Sequence, residues 1–71
     1  MLHDNIKALR KEKGITQEEL AARTGLSQRS IAAYESQGVV AHYRNIVKLA
    51  AVLQVAVEYL IDDEMQESIY T

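Results

Sequence analysis

Cysteine is absent from this chain of 71 residues, so neither a disulfide nor thiolate chemistry is open to it. Glycine occurs three times, too rarely for a phosphate-cradling loop, and Gly14, Gly25 and Gly38 all read as helix stops. No apolar stretch approaches the roughly 18 residues of a membrane-spanning helix, and there is no signal-peptide apolar core. The expectation is a cytoplasmic protein without a membrane partner. A basic surplus is missing too, since eight Lys and Arg stand against ten Asp and Glu, for a formal net charge of −2.

Catalytic and metal chemistry find equally little footing. His3 and His42 stand alone in polar or terminal segments, read as surface histidines, and belong to no metal-binding motif. The run Asp62-Asp63-Glu64 lacks the spaced oxygen ligands and central glycine of a calcium loop, and reads as a solvated acidic tail. No metal, cofactor or small-molecule site is evident, and the chain reads as a non-enzyme.

What is present is an ordinary globular composition, 48% hydrophobic and 25% charged, which argues against wholesale disorder. The length fits one domain over residues 1–62, followed by an acidic tail over 63–71 that is expected to fray. A chain this short buries only about 60% of the surface it exposes when unfolded, so its core is marginal and dimerisation would help.

The most informative stretch is residues 16–38, which spell two short helices around a glycine turn. Thr16 with Glu19 three positions on forms a capping box, and Ile15 with Leu20 forms a hydrophobic staple across the same helix start. Gly25 ends the helix where positive φ is needed. The start signals then recur at once, with Ser27 as cap and Leu26 and Ile31 as a second staple. Two starts within eleven residues force a sharp turn, so the second helix must lie across the first. This is the local signature of a helix-turn-helix, whose second helix can enter the DNA major groove.

Periodicity divides that second helix into two faces. Ile31, Tyr34 and Glu35 share the inward face, whereas Gln28, Arg29, Ala32, Ala33 and Ser36 lie outward. Gln28 and Arg29 occupy its first turn. There Gln can pair bidentately with adenine and Arg with guanine, and the alanines can lie against a thymine methyl. The same two residues also suit an ordinary solvated helix start.

Three further helices complete an all-α, five-helix reading. The first spans about residues 5–13, capped by Asp4 and stopped by Gly14, with Ile6 and Leu9 inward. After a connection over 39–42, the fourth spans about 43–53, with Ile46, Leu49, Ala50 and Leu53 as its apolar stripe. The fifth spans about 55–61, with Val57, Leu60 and Ile61 available to the core. Charge is uneven along this frame. Residues 1–35 hold six basic against five acidic groups, and residues 36–71 hold two against five.

The stretch from Ile6 to Ile61 resembles the lambda-repressor-like, or Cro/C1-type (XRE), DNA-binding domains. The resemblance rests on Ile6-Lys7-Ala8-Leu9-Arg10, Gly14-Ile15-Thr16-Gln17-Glu18-Glu19-Leu20-Ala21, Gly25-Leu26-Ser27, Ile31 with Tyr34-Glu35, and Lys48-Leu49-Ala50 with Leu53 and Val55. It implies a compact five-helix bundle whose third helix enters the major groove of a two-fold symmetric operator, bound by a homodimer. It implies that Gln17 grips a backbone phosphate, that Gln28 and Arg29 read bases with Ala32 and Ala33 on later turns, and that Arg10 and Glu35 form a partly buried ion pair.

Departures from the pattern are equally specific. Where the family usually has Asn-Gly followed by basic residues and a proline, this chain has Ser36-Gln37-Gly38-Val39-Val40-Ala41. The usual basic phosphate contacts are gone, which leaves Ser36, Tyr43, Arg44 and Asn45 as candidates for that role. Val39 and Val40 read either as core packing or, with Val57, as a subunit interface. Gln54 stands where a glycine commonly ends the fourth helix, and Ala56 replaces the serine cap of the fifth. Two functions therefore stay open: a sequence-specific regulator that binds double-stranded DNA, and an interaction module of antirepressor or antitoxin type that kept the frame but gave up DNA.

Overall fold

Caps and turns cut the chain into five α-helices: α1 (Leu2–Glu12), α2 (Gln17–Thr24), α3 (Gln28–Tyr34), α4 (Tyr43–Leu53) and α5 (Val57–Leu60). The computed structural model describes residues 2–36 and 41–61, with side chains from Asp4 onward. There is no strand among the described residues. Val39 and Val40 and the acidic tail lie outside them.

Each of the first two turns closes on a left-handed glycine. At the end of α1, Gly14 (φ 69°) donates its N–H to the Lys11 carbonyl at 3.0 Å, and Ile15 donates to the Arg10 carbonyl at 3.2 Å. These paired bonds satisfy carbonyls that the helix end would otherwise leave bare, and they swing Ile15 into the core. Gly25 (φ 78°) ends α2 with a single bond from its N–H to the Ala21 carbonyl at 2.9 Å. The capping box is complete, because Thr16 Oγ1 accepts from the Glu19 N–H at 3.0 Å and a Glu19 carboxylate oxygen accepts from the Thr16 N–H at 3.2 Å. Ser27 caps α3 by accepting from the Ser30 N–H at 3.0 Å.

The end of α4 uses the same paired-bond geometry without a glycine. Gln54 is left-handed at φ 60° and ψ 44°, its N–H bonds to the Ala51 carbonyl, and Val55 donates to the Ala50 carbonyl at 3.0 Å. A residue with a Cβ in this region carries about 1–2 kcal/mol of strain, partly offset because glycine loses more freedom on folding. Since the Gln54 side chain is exposed, Gln54→Gly removes the strain without removing packing. The expected result is a stabilisation of up to about 1 kcal/mol, read as a melting temperature higher by several degrees.

Two boundaries differ from the sequence reading. Helix α1 begins at Leu2, so Asp4 lies inside its first turn instead of capping it. A carboxylate favours both positions, since both place negative charge at the positive end of the helix dipole. Helix α5 is four residues long, beginning at Val57 instead of Val55, because Gln54 turns the chain and Ala56 is extended. Ala56 supplies no side-chain cap, as its methyl group dictates.

All five helices contribute to one core. Ile6, Leu20, Ile31, Ile46, Leu49, Leu53 and Leu60 are almost entirely withdrawn from water. Burying side chains of this size contributes about 1.5–3 kcal/mol each. The predicted stripe of α4, Ile46, Leu49, Ala50 and Leu53, is the buried one. Val57 packs half-buried against the same core. Asn5 ties the two ends of the bundle together, its Nδ2 donating to the carbonyls of Leu60 at 3.0 Å and Tyr59 at 3.2 Å. That amide completes the last turn of α5, which has no cap of its own at the other end.

Candidate nucleic-acid interface

Helix α3 packs across α2, the most extensive helix contact in the molecule among the described residues. Ile31 anchors it, with no solvent exposure, while Leu26 and Tyr34 pack half-buried beside the core. The opposite face consequently stands in solvent. Gln28 and Arg29 are exposed, Ala32 and Ala33 are half-buried between them and the core, and Ser36 is exposed one turn later. The Ser36 hydroxyl donates back to the Ala32 carbonyl at 3.0 Å, which leaves its oxygen lone pairs outward. Neither Gln28 nor Arg29 makes a side-chain hydrogen bond or ion pair among the described residues, so both are available to an outside ligand.

Beneath this face lies a charged network joining three helices. Glu35, just past the end of α3, receives Arg10 of α1 side-on: Nε donates to Oε2 at 2.7 Å and Nη2 to Oε1 at 3.0 Å. The third direction of the guanidinium is used as well, since Nη1 donates to the Ile15 carbonyl at 3.0 Å. The two side chains retain only 12% and 4% of their exposure, which makes this a buried pair with matched hydrogen bonds. The bond to Glu35 holds the Arg10 guanidinium above its ordinary range, against the opposing effect of burial, so it stays charged. Gln17, the first residue of α2, adds a third arm by donating from Nε2 to Glu35 Oε1 at 3.2 Å. By contrast, Glu19 and Arg23 meet at 3.8 Å on an exposed helix face, an arrangement that contributes little.

The start of α4 flanks α3. Tyr43 and Arg44 are exposed, while Asn45 is half-buried and donates from Nδ2 to the Tyr34 hydroxyl at 2.9 Å. That bond braces the last turn of α3 against the first turn of α4. His42 caps α4 with its backbone alone, accepting from the N–H groups of Asn45 and Ile46. The structure therefore brings Gln17, Arg10 and Glu35 into one network. It sets Gln28, Arg29 and Ser36 on the outward side of α3, and turns the Asn45 amide partly inward.

Three of these contacts were not expected from sequence: Gln17 with Glu35, Asn45 with Tyr34, and Asn5 with the end of α5. The only sequence signal for them is a short polar side chain next to a core position, as Asn5 is to Ile6 and Asn45 is to Ile46. No group of three or more His, Asp or Glu residues suited to a metal ion occurs among the described residues, and no described helix is long and apolar enough to cross a membrane.

Comparison with known proteins agrees with the helix-turn-helix fold. The family described as Helix-turn-helix matches residues 6–60. The chain is 29% identical over 70 residues to the uncharacterized HTH-type transcriptional regulator YqaE of Bacillus subtilis (strain 168), covering 99% of this chain and 60% of that protein. It thus spans three fifths of the curated relative's length. Among solved structures it is similar to the restriction-modification controller protein C.AhdI of Aeromonas hydrophila, with a TM-score of 0.80 and 30% identity over 84% of this chain and 91% of that one. It is also similar to the hypothetical transcription factor NHTF of Neisseria, with a TM-score of 0.77 and 33% identity over 96% of this chain and 79% of the other. By residues 6–60, by fold and by the motifs of α2 and α3, the chain belongs to the helix-turn-helix family, in its lambda-repressor-like (XRE) form.

Proposed function

We propose that this protein is a transcriptional regulator that binds a palindromic operator in double-stranded DNA as a homodimer. The observation that carries the proposal is the outward face of α3. Its first turn holds an exposed amide and an exposed guanidinium, without intramolecular partners among the described residues, on a helix fixed from behind by Ile31 and Glu35. In this reading Gln28 and Arg29 make the base contacts, and Ala32 and Ala33 keep the groove side narrow enough for close approach. Gln17, Ser36, Tyr43 and Arg44 contact phosphates, and Asn45 adds its remaining amide N–H while holding the α3–α4 turn. The likeness to a restriction-modification controller protein and to other regulators supports a regulatory role.

Self-association would cover exposed apolar surface, since Tyr59 of α5 keeps 62% of its exposure, Val47 of α4 41% and Tyr43 38%. A homodimer would also double the modest DNA contact of one protomer and match operator symmetry.

The charge distribution gives the experiment. Among the proposed phosphate contacts only Arg44 carries a charge, so few counterions leave on binding. The dependence of log K on log salt should therefore be shallow, well short of the slope near −10 that corresponds to roughly ten neutralised phosphates. Titration of a duplex with the protein between low and physiological salt reads this directly, and a slope near −10 contradicts the proposed contact set.

A further inference from the structure

The ion pair beneath α3 has a third member, the amide of Gln17 at the start of α2. Glu35 Oε1 is shared between Arg10 Nη2 at 3.0 Å and Gln17 Nε2 at 3.2 Å, and the carboxylate is almost wholly buried. A carboxylate paired with arginine can only accept hydrogen bonds, so it decides which end of the Gln17 amide faces it. The nitrogen must turn inward, and the opposite orientation would set two oxygens against each other. One N–H is thereby committed to Glu35. The second N–H and the carbonyl oxygen have no partner among the described residues, and Gln17 is only half-buried.

We propose that Glu35 is a positioning residue for Gln17: it pre-orients the amide so that its free N–H faces outward at the start of α2, ready for a phosphate oxygen. The inference rests on the DNA-binding reading above and deepens it. Holding a flexible side chain in its bound orientation removes the ordering cost from the binding step. The network then serves two ends at once, since Arg10 satisfies the carboxylate for folding and the carboxylate orients Gln17 for binding. Nothing in the fold requires Gln17 for the first task, because Arg10 already occupies both carboxylate oxygens.

This separates binding from stability experimentally. The double variant Arg10→Met/Glu35→Leu replaces the pair by apolar side chains of similar volume, a change that is often neutral or stabilising. Its affinity for a duplex selected by the wild-type protein from random DNA should fall about three- to tenfold, the range for one lost pre-oriented hydrogen bond, in a protein that still unfolds cooperatively although the Ile15 carbonyl has lost its Arg10 donor. Gln17→Ala should weaken the wild-type protein by about the same factor, yet change the double variant less than about twofold. Equal effects of Gln17→Ala in both backgrounds would overturn the inference and leave the DNA reading standing. Retention of no duplex by the wild-type protein would overturn both. Should the double variant fail to fold, the wild-type Gln17 side-chain amide protons decide the matter by NMR. One amide proton displaced from its free-glutamine shift and protected from solvent exchange, with the other shifting on addition of duplex, supports the positioning role; both protons at free-glutamine shifts and unprotected from exchange contradict it.

Discussion

Substitution of Glu35 by alanine is expected to destabilise the fold by about 3–5 kcal/mol, because the Arg10 guanidinium would stay buried without its counter-charge. The magnitude follows from asymmetry. Forming a buried pair gains little net energy, since desolvation offsets the attraction, whereas removing one member leaves the other with all of its desolvation and none of its partner. Arg10 would keep its bond to the Ile15 carbonyl, but its Nε and Nη2 would face a cavity. A domain of 71 residues has a total stability of roughly 4–10 kcal/mol. The variant should therefore stand close to its unfolding midpoint in water. Glu18 is the internal control, an exposed carboxylate in the first turn of α2, where alanine should cost under about 1 kcal/mol. Urea midpoints of Glu35→Ala and Glu18→Ala should differ widely, and equal midpoints would contradict the burial of the pair.

The second large effect concerns recognition. Arg29→Ala removes an exposed side chain without an intramolecular partner, so folding should be unchanged while affinity for the preferred duplex falls by about 1–3 kcal/mol. The pattern of the loss is as diagnostic as its size. A base-reading arginine discriminates one position, so the variant should lose preference there and keep it elsewhere. A phosphate-binding arginine would weaken all sequences alike and flatten the salt dependence. Binding measured on a panel of single-base operator variants distinguishes the two, and uniform weakening would remove Arg29 from the reading face.

Much of the frame is visible in the residues, and the reason is local. Thr16 and Glu19 satisfy one another three positions apart, Ser27 caps Ser30 at the same spacing, and the i, i+3, i+4, i+7 spacing of Ile46, Leu49, Ala50 and Leu53 needs no knowledge of the rest of the fold. Errors arise where one local signal serves two structures. Asp4 is as favourable inside a first turn as before it, and Val55 is as apolar in a turn as in a helix. The site is legible only in part, because its members meet through the crossing of helices. Arg10 and Glu35 lie 25 residues apart, and only the family resemblance pairs them in advance of the structure. The Gln17 bond to Glu35 and the Asn45 bond to Tyr34 depend on helix angles that no short pattern encodes.

The distribution of charge along the chain is compatible with a DNA-facing surface despite the net acidity. Residues 62–71 hold four of the ten acidic side chains and no basic one, so the remaining residues carry eight basic groups against six acidic ones. The proposed contact set relies on hydrogen-bonding side chains and shape more than on charge, which places the weight of recognition on α3.

Selection from a pool of random duplex DNA, with sequencing of the retained fraction, decides whether α3 reads bases. A palindromic motif should be enriched, and its half-sites should lose preference at one position in Arg29→Ala. No enrichment at low salt would contradict base reading by α3, and would point instead to a helix-turn-helix frame that binds another protein.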